Sequence, residues 1–198
     1  ARLADDGIVL QHLDLGGGLG IRYREEQPPT AGEYVELLLS KLQRADPRFR
    51  SLAIHIEPGR SVVANAGILV TRVLYTKETP VKNFVIVDAA MNDLMRPTLY
   101  DAWQEILPVR QGKATTQLVD VVGPVCETGD FLARERTLAA QQGDLLAIMS
   151  AGAYGAVMSS NYNSRPRLPE IMVDGDRYHV VRTRESIREL YASEKTLP

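Results

Sequence analysis

Short apolar runs, punctuated by glycine, proline and acidic turns, divide the chain into two regimes. In the first, residues 9–15 form an apolar strand that stops at Gly16-Gly17-Gly18. A second run, residues 52–56, opens directly into Glu57-Pro58-Gly59-Arg60. Between them, Thr30 and Glu33 have capping-box spacing, and Tyr34, Leu37, Leu38 and Leu42 recur at helical intervals until Asp46-Pro47 ends the pattern. Strand, glycine loop, helix, strand is the order of a parallel α/β unit. In the second regime, residues 68–75, 84–87, 117–122, 145–149, 171–173 and 178–182 read as short strands rich in Val and Ile, with Asp174-Gly175 as a hairpin turn. Helical stretches are expected near 93–103, 154–159 and 184–193.

The expected architecture is therefore α/β plus β. Residues 1–65 read as the last units of a (β/α)8 TIM barrel, incomplete because two βα units cannot close a parallel sheet. Residues 66–198 read as an antiparallel β-barrel or sandwich. The opening, Ala1 to Gly7, reads as the end of a helix running into a strand, as if the chain were cut there.

Composition narrows the function classes. With 198 residues, 44% apolar and 24% charged, the chain matches an ordinary globular protein, and its net charge of -2 offers no basic stripe for nucleic acid. Its apolar runs are too short to span a bilayer, and no signal-peptide pattern opens it. Cys126 is the sole cysteine, which removes an intrachain disulfide and a thiolate metal site and suggests a reducing, cytoplasmic setting.

Five segments carry candidate chemistry. Gly16-Gly17-Gly18-Leu19-Gly20 follows a strand but lacks the Gly-Lys-Ser/Thr of a Walker loop, and Ile21 stands where the dinucleotide fingerprint needs its last glycine. Its backbone can approach an anion, although alone it reads better as a tight turn. Paired with Glu57-Pro58-Gly59-Arg60 on the next strand, the anion-site reading becomes the better one, with Glu57 inward and Arg60 beside the anion. Arg96 and Tyr100, four apart, share a helix face that could clamp a carboxylate or simply face solvent. Cys126-Glu127 lies in a polar turn, where acidic neighbours favour a protonated thiol and hence a proton donor over a thiolate nucleophile. A lone cysteine is as often a small buried hydrophobe, and chemistry alone leaves both readings open. Tyr154, among Ala151, Gly152, Ala153 and Gly155, adds an aromatic hydroxyl, or a core tyrosine. His12, His55 and His179 show no ligand spacing and read as structural, and no metal site is expected.

In order, HLDLGGGLG, EPGR, VDAAMNDLMRPTLYDA, GPVCETGD, SAGAYGAVMSSNYNSRPR and EIMVDG resemble the fold-type III pyridoxal-phosphate decarboxylases. The MNDLMRPTLYDA, CETGD and SNYNSRPR segments are similar to the diaminopimelate decarboxylases within that family. The resemblance implies a (β/α)8 barrel joined to a C-terminal β domain, pyridoxal 5'-phosphate as cofactor, and decarboxylation of meso-diaminopimelate to L-lysine. It implies that Gly17, Gly18, Gly59 and Arg60 hold the cofactor phosphate, with Tyr154 against it, and that Glu57 faces the pyridine nitrogen. By the same resemblance, Arg60, Arg96, Tyr100 and Tyr154 bind substrate, Glu127 contacts the distal ammonium, and Cys126 donates the proton. It further implies a homodimer in which Cys126 and Glu127 reach into the partner's site.

One departure stands out. The family's cofactor lysine has no counterpart among Lys41, Lys77, Lys82, Lys113 and Lys195, so this chain alone is expected to be inactive without an N-terminal barrel half. Two rivals remain at this point: a decarboxylase of the same fold type acting on ornithine, arginine or carboxynorspermidine, and a non-catalytic dimerisation or regulatory module. Glu127 argues against the ornithine enzymes, which resemble this chain but carry Asp there.

Overall fold

The structure, a computed structural model, describes residues 2–110, 112 and 114–197; Ala1 and Lys113, named above, lie outside the described residues. The chain divides into two compact units, Ala1–Ala64 and Asn65–Pro198. In the first, a short helix α1 (Arg2–Asp5) precedes strand β1 (His12–Asp14), helix α2 (Ala31–Ala45), strand β2 (Ala53–His55) and the single turn α3 (Arg60–Val63). Strands β1 and β2 pair in parallel, with α2 as the crossover that parallel pairing requires. The capping box is present as the sequence predicts: Thr30 accepts from the Glu33 N–H while the Glu33 carboxylate accepts from the Thr30 N–H. Tyr34, Leu38 and Leu42 form the half-buried stripe of α2, whereas Leu37 faces outward. After α2, Asp46 accepts from the Arg48 N–H and pairs with its guanidinium at 2.7 Å.

Among its described residues the second unit builds a six-stranded sheet from β3 (Leu69–Lys77), β4 (Asn83–Val87), β5 (Ile106–Pro108), β6 (Thr116–Val122), β7 (Phe131–Ala139) and β8 (Leu145–Ile148), in the order β5-β8-β3-β4-β6-β7. Edge strands β5 and β7 approach each other, so the sheet is nearly closed. Its core is a continuous cluster that includes Val73, Val85, Val87, Leu94, Val121, Leu132, Leu146 and Ile148. A hairpin, β9 (Glu170–Asp174) and β10 (Arg177–Arg182), turns at Gly175 with φ +60, which glycine adopts without strain.

Two expectations are corrected, and strand β7 is one the sequence reading did not anticipate. The sheet is mixed, not antiparallel: β4 and β6 run parallel, because the long stretch between them crosses over through helix α4 (Arg96–Tyr100) and β5. The helices near 93–103, 154–159 and 184–193 contract to α4, a 3-10 turn Ala156–Met158 and α5 (Ile187–Leu190). Pro97 fixes where α4 can start, and Asp101 ends it in the left-handed conformation at φ 50. Strand β7 has no clean alternation because Arg134-Glu135-Arg136 interrupts it. Glu135 sits at φ 53, its N–H donates to the buried Asp120 carboxylate at 2.8 Å, and the register with β6 slips there, the signature of a bulge. Barrel closure does not occur among the described residues of the first unit, which hold a single βαβ arrangement.

Two stability predictions follow from this packing. Leu132 is fully buried in the cluster, so Leu132→Ala should lower unfolding free energy by about 2–5 kcal/mol, read from the denaturant midpoint at unchanged m-value. The Arg48 side chain and N–H hold the Asp46 carboxyl down at about 2. Folding then favours the ionised form above the unfolded value near 3.8, and that stabilisation fades as pH falls toward about 2. In Asp46→Asn, the acid loss of stability across that window should be smaller than in wild type, as measured by urea titrations at stepped pH.

Candidate functional site

In the first unit the glycine loop and the Glu57 turn meet backbone to backbone. The Glu57 N–H donates to the Gly16 carbonyl at 2.7 Å, and the Gly16 N–H donates to Asp14 Oδ1 at 2.8 Å. A Cβ on Gly17 would stand 2.5 Å from the Glu57 carbonyl oxygen, so only glycine permits the approach. Gly18 lies at φ +96, another conformation that glycine adopts freely. The Tyr34 hydroxyl donates to the Gly17 carbonyl at 3.0 Å, which anchors the loop to α2. Gly17, Gly20, Tyr34, Pro58 and Ser61 line a cavity of about 400 Å³. Gly18, Gly59 and Arg60 are not among the residues that line this cavity, which Leu19, Ile21, Ile56 and Val62 also border; a Cβ on Gly18 or Gly59 would meet only open space. These features fit a phosphate-bearing group: side-chain-free backbone borders a cleft, and the Arg60 guanidinium lies over the Tyr23 ring at 5.9 Å.

In the second unit the structure gathers residues that lie far apart in sequence. The Arg96 guanidinium sits 5.7 Å from the Tyr100 ring centroid and 5.4 Å from that of Tyr154, on geometry suited to cation–π attraction. Tyr154 is placed by a tight loop. Gln104 is fully buried and donates to the carbonyls of Met149 and Ser150 at 3.0 and 3.1 Å, and the Ala151 N–H donates to the Gly67 carbonyl. A Cβ on Gly67 would press on Gly152, and Tyr154 itself takes φ 60.

Cys126 and Glu127 are exposed on the turn that joins β6 to β7. Beneath them lies Asp130, 3% exposed, whose carboxylate accepts from the Met91 N–H at 2.6 Å and the Val125 N–H at 2.7 Å. Burial pushes the Asp130 carboxyl upward, opposed by those two N–H groups. Gly123 carries no side chain because a Cβ would collide with this carboxylate. From α4, the Thr98 hydroxyl donates to the Gly129 carbonyl at 2.5 Å, so the Arg96–Tyr100 helix and the Cys126–Glu127 turn are fastened together. Glu127 Oε1 accepts from the Gly129 N–H at 3.2 Å and Oε2 from the Tyr162 hydroxyl at 3.1 Å. These donors, Gly129 first, hold the Glu127 carboxyl below the usual range.

Sequence reasoning gave no role to Tyr162, Arg165 or Asp130. Arg165 donates to Asn92 Oδ1 at 2.9 Å and to the Asp88 carbonyl at 2.7 Å, with Asp93 at 3.7 Å. Burial raises the Asp93 carboxyl despite that guanidinium. The available signal was an aromatic and an arginine inside a run of Asn and Ser too polar for core and too irregular for a helix.

Comparison with known proteins agrees across the chain. Residues 10–152 match the family described as pyridoxal-dependent decarboxylase, C-terminal sheet domain. The chain is 58% identical over 197 residues to a diaminopimelate decarboxylase of Pseudomonas aeruginosa, covering 100% of this chain and 46% of that relative. It is 55% identical to the Vibrio cholerae diaminopimelate decarboxylase, again over 46% of the relative. Among solved structures, diaminopimelate decarboxylase from Helicobacter pylori complexed with L-lysine superposes at a TM-score of 0.87 with 42% identity, covering 98% of this chain and 47% of that one. The chain thus spans about half the length of the relatives it matches.

The geometry makes one demand that can be checked directly. The Met91 and Val125 N–H groups donate to different oxygens of Asp130, and Asp130→Asn would turn an amide NH2 toward one of them, so the fold should lose about 1–3 kcal/mol, measured by chemical denaturation.

Proposed function

The chain belongs to the pyridoxal-dependent decarboxylases, and on that premise we propose that the protein carrying it converts meso-2,6-diaminopimelate to L-lysine and CO2, the last step of lysine biosynthesis. The observation that carries this reading is Arg96 bracketed by Tyr100 and Tyr154, a fixed cation with two flanking hydroxyl-bearing rings. Such a bracket suits the carboxylate at the remote end of a long amino acid.

Pyridoxal 5'-phosphate supplies the electron sink that lets the α-carbon release CO2. Gly17, Gly18, Gly59 and Arg60 would hold its phosphate, and Tyr154 would contact it. Glu57 would keep a proton on its ring nitrogen. Arg60, Arg96, Tyr100 and Tyr154 bind and orient the substrate through its distal carboxylate, while Glu127 receives the distal ammonium. Orientation through that remote end is what selects against shorter diamino acids. The Cys126 Sγ–H then returns a proton to the α-carbon. Exposure of Cys126 and Glu127 at a turn supports their use at the partner subunit's site in a homodimer. Among the described residues no helix is long and apolar enough to cross a membrane. The proposed enzyme acts on a small-molecule substrate, and its cytoplasmic location is part of the same proposal.

The test uses the complete protein carrying this sequence, with pyridoxal phosphate, and follows L-lysine and CO2 from meso-diaminopimelate. Lysine release that falls by about 100- to 10,000-fold in Cys126→Ala supports both substrate and proton donor. Release from ornithine, arginine or carboxynorspermidine but not diaminopimelate would keep the reaction class and replace the substrate.

A further inference from the structure

We propose that Tyr162 is a positioning residue for Glu127, fixing that carboxylate so that the site favours ligands with an ammonium beside their distal carboxylate. This rests on the reading of Glu127 as the ammonium contact.

The geometry is specific. Glu127 has two oxygens, each with its own donor: the Gly129 N–H to Oε1 at 3.2 Å and the Tyr162 hydroxyl to Oε2 at 3.1 Å. An exposed glutamate held at one oxygen still swings about its last torsion, whereas two donors fix the carboxylate plane. Each oxygen retains lone pairs for a ligand ammonium. The Glu127 carboxyl is held low by Gly129 and then Tyr162, while the Tyr162 hydroxyl is pushed up by Glu127. One group therefore stays an acceptor and the other a donor.

The loop bearing Tyr162 is anchored well beyond the needs of a surface turn. The Ser160 N–H donates to the Asn92 carbonyl at 3.0 Å, and Asn92 Nδ2 donates back to the Ser160 carbonyl at 3.1 Å. Asn161 donates to the Arg165 carbonyl and the Glu185 carboxylate, and Arg165 grips Asn92 and Asp88. Asn163 and Ser164, directly after Tyr162, take φ 60 and 53. Two successive left-handed non-glycine residues persist only where surrounding bonds over-determine them. The outcome is a phenol whose place is set by the 88–92 segment rather than by its own flexible neighbours.

Calorimetric binding to the complete, cofactor-loaded protein tests this with two probes. L-lysine carries an amino group beside its carboxylate; 6-aminohexanoate has the same chain and carboxylate but lacks that group. Tyr162→Phe should weaken L-lysine about fivefold to tenfold, the range expected for one hydrogen bond of ordinary net strength. Affinity for 6-aminohexanoate should stay within about twofold, since only the Glu127 contact changes. Glu127→Gln should weaken L-lysine at least as much, and Tyr162→Phe added to it should cause no further loss. Equal losses for both probes, no loss for L-lysine, or a further loss on the Glu127→Gln background would overturn the positioning role. Unchanged L-lysine affinity in Glu127→Gln would instead sink the reading of Glu127 itself, and the inference with it.

Discussion

A carboxylate taken out of water must be met by donors, and Asp130 meets that demand with two backbone N–H groups from different segments. One belongs to Met91, in the stretch leading to α4. The other belongs to Val125, in the turn carrying Cys126 and Glu127. Moving either segment strands a buried charge, so the two are held in one relation. Thr98 adds a second tie from α4 to the same turn. Most of the second unit's candidate chemistry is arranged around this small polar knot at the rim of an otherwise apolar sheet.

Around the knot the backbone is repeatedly left-handed at non-glycine residues: Asp101, Ser150, Tyr154, Asn163 and Ser164. Each such conformation costs on the order of 1–3 kcal/mol and must be held by its surroundings. Here the holders are buried polar side chains, Gln104 for the loop before Tyr154 and Arg165 with Asn92 for the loop after it. Strain and its restraints fall in the loops that carry the proposed substrate contacts, while β3, β4 and β8 carry the ordinary hydrophobic packing. Preorganisation of this kind suits a site that orients a flexible, doubly charged ligand end.

Local signals read well wherever the chemistry is local. Thr30 with Glu33 marked the start of α2, Asp46-Pro47 its end, and Asp174-Gly175 the hairpin, because each depends on residues within one turn of chain. The glycine loop and Glu57 were legible as a pair for a related reason: each follows a strand, and strand ends collect binding groups. Strand β7 was hidden because its charged middle is stabilised from elsewhere, by Asp120 across the ladder and by Trp103, over whose ring Arg136 lies at 4.2 Å. No window of sequence contains those partners.

By itself the sequence determined the two regimes of the chain and its caps and turns, which rest on short-range spacing, and it held the six motifs that carry the family resemblance. Only the tertiary structure decided the parallel pairing of β4 with β6, the bracketing of Arg96 by Tyr100 and Tyr154, and the joining of Tyr162 to Glu127. Tyr162 and Glu127 stand 35 positions apart, and Arg165 and Asn92 stand 73 apart. Contacts at such separations are chosen by the global minimisation of buried, unsatisfied polarity and not by any local preference.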